Sequence, residues 1–148
     1  MIRYPFKYEN KHRAQACALF CMDFRFKDAT LKYLKKQLNL EDLDIMVIAG
    51  ASLNIASPRT SADYDIALKQ IKLSTKLHQV NKIIIIDHAD CGAYGGRTAF
   101  SSTEEEEEVH TNNLLKSKKI LQEKYPNQEI ILIYANLIGS EIKFQEIK

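Results

Sequence analysis

The sequence predicts an α/β fold, an open and mainly parallel central sheet with flanking helices. Three observations lead there. Four short apolar segments read as strands. The stretches between them carry helical patterns. The two kinds alternate along the chain. Strand, helix, strand in succession favours parallel pairing through right-handed crossovers.

The first predicted strand is "AQACALFCM" (14–22), followed by a helical pattern in "DATLKYLKKQLN" (28–39). The second, "LDIMVIAG" (43–50), is almost continuously apolar, as suits a strand covered on both faces. A helix over 61–79 comes next, with Ile66, Leu73, Leu77 and Val80 near one stripe. The third strand is "NKIIIIDH" (81–88). A helix from about 104 to 125 stops before Pro126, as helices often do. Its start, "TEEEEE", suits a capped N-terminus: Ser102 or Thr103 as cap, and Glu105 or Glu106 completing a capping box. Acidic residues there and "KSKK" farther along complement the helix dipole, and the charge run needs no other role. The fourth strand is "EIILIYA" (129–135), and the alternating "EIKFQEI" (141–147) reads as an edge strand.

Composition narrows the function classes. A chain of 148 residues is long enough to bury a core and is read as one domain over 1–148. A net charge of +2 is too small to argue for nucleic acid or an acidic membrane surface. The first apolar run is short and stopped by Asp23, so no signal peptide is expected, and no segment approaches the roughly 20 apolar residues of a membrane span. Three cysteines with no leader point to a cytoplasmic protein whose thiols are free or bind metal.

In open α/β sheets, ligands bind beyond the carboxyl ends of strands. Two stretches lie there. In "CMDFRF" (21–26), alternation would place Cys21, Asp23 and Arg25 on one face of an extended segment. In "IIIIDHADCGAYGG" (83–96), His88 and Cys91 form an H-x-x-C pair followed at once by three of the chain's five glycines. Cys21, His88 and Cys91 make a Cys₂His set suited to zinc, with the fourth position left open as in catalytic sites. The set requires the first and third strands to be neighbours. Cys17 lies about 13 Å up an extended strand from Cys21, too far to share the ion, and reads as a small core residue. His12, His78 and His110 have no partner at ligand spacing and read as surface or helix histidines.

The paired motifs C-x-D-x-R (21–25) and H-x-x-C-G (88–92) resemble those of the β-class carbonic anhydrases. The resemblance covers most of the chain and extends to "VIAGA" (47–51) and the ending "IYANLIGSEIKFQEI". It implies a β-carbonic-anhydrase-like fold and one Zn2+ held by Cys21, His88 and Cys91. It also implies reversible hydration of CO2 to bicarbonate by a hydroxide on that metal. Asp23 and Arg25 would form the catalytic dyad, with Asp23 a fourth metal ligand in the closed form of the site. A homodimer or higher homo-oligomer is implied as well, with no nucleic acid or membrane partner. Three departures stand out. Val47-Ile48 replaces the family's R-N. Asp87 replaces the glycine before the ligand histidine, and with Asp90 it would add negative charge near the metal or orient His88. Residues 1–13 offer little of an N-terminal dimer arm. The departures leave open a zinc hydrolase acting on carbon disulfide or carbonyl sulfide, or a non-catalytic zinc-binding module. Asp23 and Arg25 argue against the last, since a purely structural site has no use for them.

Overall fold

The computed structural model describes residue 3 and residues 5–148. Five strands form one sheet: β1 (Ala16–Phe20), β2 (Leu43–Val47), β3 (Lys82–His88), β4 (Glu129–Ile138) and β5 (Glu141–Ile147). Four helices accompany them: α1 (Phe24–Lys36), α2 (Leu53–Ala56), α3 (Ser61–Leu77) and α4 (Thr103–Lys124). The strand order is β2-β1-β3-β4-β5. The first four are parallel, and β5 turns back antiparallel along β4, at the sheet edge where the alternation in 141–147 predicts a strand.

The chain places β2 on one side of β1 and then returns to place β3 on the other. This reversal is the switch point at which an open sheet parts its loops. The carboxyl ends of β1 and β3 therefore meet, as the Cys₂His set requires. Ile83 to Ile86 of β3 are all buried, because both faces of the sheet are covered. On one face, Cys17, Leu19, Ile83 and Ile85 pack with Ile55 of α2, Ala67 and Ile71 of α3, and Leu114 and Leu121 of α4. On the other, Ala18, Phe20, Ile84 and Ile86 pack with Phe26 and Leu34 of α1.

Two expectations are corrected here. The segment 21–25 is not extended: β1 ends at Phe20 and α1 begins at Phe24. Asp23 is the N-cap, and its carboxylate accepts from the Arg25 N–H, so the helix starts four residues earlier than its apolar pattern indicates. The stripe expected on α3 is also displaced. Ile66, Leu73 and Leu77 are substantially exposed, Val80 is buried but lies past the end of α3, and the buried face of α3 is Ala67, Ile71 and Ser74. Two of these three are small or polar, so hydrophobicity alone mislocated the inner face. At the α4 start Ser102 is the cap, accepting from the Glu105 N–H, but neither glutamate completes a capping box: Glu105 bonds Ser101 and Glu106 turns inward. Residue 3 and residues 5–14 carry no helix or strand; Met1, Ile2 and Tyr4 of the expected short arm lie outside the described residues.

The turn after β2 is shaped by Gly50, at φ +79°. A Cβ there would sit 2.9 Å from the Ala93 Cβ. Gly50→Ala is therefore expected to lower stability by about 2 kcal/mol, from left-handed strain plus the clash, readable as a lower urea midpoint at unchanged slope.

Candidate metal centre

Cys21 follows β1 directly, His88 is the last residue of β3, and Cys91 stands in the turn beyond it. That turn is made by Asp90 in the left-handed region, at φ 57°. It folds the chain back so that Cys91 faces His88. The ligand atoms of the three residues all lie within 4.8 Å of one another, and all three side chains are buried.

The donor set fits zinc. The two sulfurs are 3.8 Å apart. Two thiolates each about 2.3 Å from a tetrahedral zinc would be separated by about 3.8 Å. The His88 Nδ1–H donates to the Ala89 carbonyl at 2.8 Å, which turns Nε2 inward as a lone-pair donor. Nε2 is buried with no protein partner, an arrangement that costs free energy unless a cation meets it. The Gly50 N–H donates to Cys21 Sγ at 3.4 Å. Donation from Cys91, with further help from the Gly50 N–H, outweighs burial and brings the Cys21 thiol down to about 4. The neighbouring Cys21 sulfur and burial push the Cys91 thiol up. Two thiolates this close need a cation between them. The buried Cys17 lies apart in the core, where burial pushes its thiol up to about 11.

Beside the triad, Arg25 grips Asp23. Its Nε lies 3.0 and 3.1 Å from the two carboxylate oxygens and its Nη2 lies 2.6 Å from Oδ2. The guanidinium holds the Asp23 carboxyl below the usual carboxylate range. Asp23 and Arg25 are thus joined by the cap geometry of α1 rather than by a strand pleat. Arg25 has a second anchor, donating from Nη1 to Asp90 Oδ2 at 2.8 Å and from Nη2 to the Asp90 carbonyl at 3.0 Å.

The expected roles of Asp87 and Asp90 change accordingly. Neither carboxylate touches His88. Asp90 is spent on Arg25 and on the Arg97 N–H, which reaches Oδ1 at 2.9 Å. Asp87 is buried and bonded to Ser52, Tyr94 and His110.

Sequence reasoning missed two residues of α4. Glu106 is fully buried, accepting from the Asp90 N–H at 2.6 Å and from Arg97 Nε at 3.3 Å. His110 lies on a helix, as expected, but is fully buried with Nδ1 2.9 Å from Asp87 Oδ2. A signal was present: Glu106, His110, Leu114, Ser117 and Leu121 form one inner face at helical spacing, and its first two members are polar. His12 is exposed, and His78 caps the end of α3 against Asp44.

Cys21 of the triad and the Asp23–Arg25 pair line a cavity of about 450 Å³, together with Met22, Phe24, Ala49, Gly92 and Ala93. Met22 and Phe24 are largely exposed at its mouth. Val47, half-exposed, ends β2, and Ile48 packs against the core, so an apolar pair stands where the resemblance expects R-N.

A family model described as "Putative carbonic anhydrase" matches residues 11–148. The chain belongs to that carbonic anhydrase family. An uncharacterized protein of Rickettsia bellii (strain RML369-C) is 35% identical over 140 residues, covering 92% of this chain and 83% of the relative. One from Rickettsia conorii (strain ATCC VR-613 / Malish 7) is 31% identical, covering 92% and 75%. Among solved structures, a carbonic anhydrase from Streptococcus mutans superposes with TM-score 0.61 at 15% identity, over 98% of this chain and 88% of that one. A β-carbonic anhydrase from Aspergillus fumigatus gives 0.62 at 13% identity, over 93% and 77%. One of two tetrameric β-carbonic anhydrases from Sordaria macrospora gives 0.61 at 15%, over 90% and 81%. At these identities the likeness shows the fold, and that fold is the β-carbonic anhydrase one.

Proposed function

We propose that this member of the carbonic anhydrase family is a zinc lyase interconverting CO2 and bicarbonate. The observation that carries the reading is the convergence of Cys21, His88 and Cys91 beside an Asp23–Arg25 pair, with Cys21 and the pair lining one cavity. Zinc, when bound, supplies a Lewis acid that makes water a nucleophile near neutral pH. Two thiolates and one imidazole hold it. Asp23, kept ionised by Arg25, offers a carboxylate oxygen that accepts a hydrogen bond and so orients an incoming water. Arg25 keeps that carboxylate in place through its second hold on Asp90. Met22, Phe24 and Ala93 give the mouth an apolar lining that suits linear, uncharged CO2.

The same reading treats residues 1–148 as one domain in a cytoplasmic homo-oligomer. The one five-stranded sheet, the three free cysteines and the tetrameric relatives in this fold support it. Among the described residues, no helix is long and apolar enough to cross a membrane. Metal analysis tests the ligand set. The wild-type chain is expected to hold about one zinc, and Cys91→Ser to lose it. A serine variant that keeps zinc at wild-type affinity removes Cys91 from the set.

The apolar Val47-Ile48 pair and the apolar mouth favour one second reading, hydrolysis of carbon disulfide or carbonyl sulfide. Turnover of these sulfur analogues with none of CO2 decides for it.

A further inference from the structure

The Asp87 carboxylate is one of the most heavily bonded groups among the described residues, and none of its partners belongs to the ligand triad or the dyad. Its Oδ1 accepts from the Ser52 N–H at 3.0 Å. Its Oδ2 accepts from Ser52 Oγ at 2.6 Å, Tyr94 Oη at 3.1 Å and His110 Nδ1 at 2.9 Å. Asp87, His110 and Ser52 are all buried. Four donors, three of them on Oδ2, satisfy both carboxylate oxygens, and a buried anion so held fixes the segments that supply the donors.

Those segments are the ones that surround the metal ligands. Ser52 belongs to the turn whose Gly50 N–H donates to Cys21 Sγ. That turn presses on the stretch after Cys91, as the close approach of Gly50 to Ala93 shows. Tyr94 ends that stretch, with its hydroxyl bonded to Asp87 and braced by Asn113 at 3.0 Å. Asp87 itself precedes His88 in β3. His110 brings in α4, its ring 3.9 Å from that of Tyr94.

We propose that Asp87, backed by His110, is a positioning residue that holds the Cys21, His88 and Cys91 loops at metal-binding geometry. It acts through Ser52 and Tyr94, and it takes over a place where the resemblance expects a glycine. The proposal rests on the zinc reading above.

The test is zinc affinity, measured by competition with a chromophoric chelator, on wild type, Asp87→Asn and a control, Leu121→Ala. Leu121 is a buried apolar residue of α4 far from the ligands in the sequence, and its loss lowers Tm without touching the network. In Asp87→Asn the amide turns a donor toward another donor and releases at least one loop. The expected result is zinc binding about 10- to 100-fold weaker in Asp87→Asn. Leu121→Ala should bind as wild type does despite its lower Tm. With Co2+ in place of zinc, the thiolate charge-transfer band is expected to shift in Asp87→Asn only. Wild-type affinity and an unshifted band in Asp87→Asn overturn the proposal, as does equal weakening in both variants. Should Asp87→Asn not fold, Tyr94→Phe replaces it: it keeps the ring on His110 and removes one donor. Several-fold weaker binding is then expected, and wild-type affinity overturns the proposal. A wild-type chain that takes up no zinc overturns the zinc reading and the positioning role with it.

Discussion

Asp23→Ala is expected to keep its zinc and to lose CO2 hydration by about 100-fold or more. The three metal ligands stay in place, because none depends on the Asp23 side chain for position. What disappears is the ionised carboxylate that Arg25 holds beside the cavity. The same side chain also caps α1, so alanine costs about 1 kcal/mol of stability as well. Asp23→Asn separates the two effects: the amide oxygen can still cap the helix, but the charge is gone. If both variants lose turnover alike, the carboxylate acts in the reaction. Unchanged turnover in either zinc-loaded variant removes the dyad from the mechanism.

Glu106→Ala is expected to damage both stability and activity. It leaves the partly buried Asp90 N–H without its 2.6 Å acceptor and Arg97 without its carboxylate. The expected cost is about 3 kcal/mol, a fall in Tm of roughly 6–12 °C. Arg97 is partly exposed, so most of that cost falls on the Asp90 side. Activity should fall by more than the folded fraction explains, by about 10- to 100-fold. Asp90 is the second anchor of Arg25, and a small displacement of the dyad is amplified in rate. Glu106→Gln keeps one acceptor and should cost about 1 kcal/mol. A Glu106→Ala chain with wild-type Tm and turnover contradicts the arrangement described.

The ligand triad was legible because parallel strands hide little. Continuous apolar runs located β1 and β3, and the H-x-x-C spacing located the turn. The Asp23–Arg25 pair was legible as a pair but not in its geometry. A short polar residue after a strand can extend the strand or cap the next helix, and the cap won because it satisfies N–H groups at the start of α1. The inner face of α3 was misplaced because it is built of Ala67, Ile71 and Ser74, with larger apolar residues left outside. Glu106 and His110 were passed over for a different reason. A glutamate or histidine on a helix defaults to solvent, and what buries these two lies far off in the chain. Asp90 is 16 residues from Glu106, and Asp87 is 23 from His110. Pairing at such distances leaves only a weak trace in local pattern. The replacement of a glycine by Asp87 was visible, but its partners were not.

Stopped-flow CO2 hydration by protein verified to hold about one zinc per chain tests the central claim most directly. A rate well above the buffer reaction, abolished by Cys91→Ser, is the result expected of a working carbonic anhydrase and shows that the Val47-Ile48 pair is tolerated. No rate above buffer from neutral to alkaline pH, with zinc in place, contradicts it.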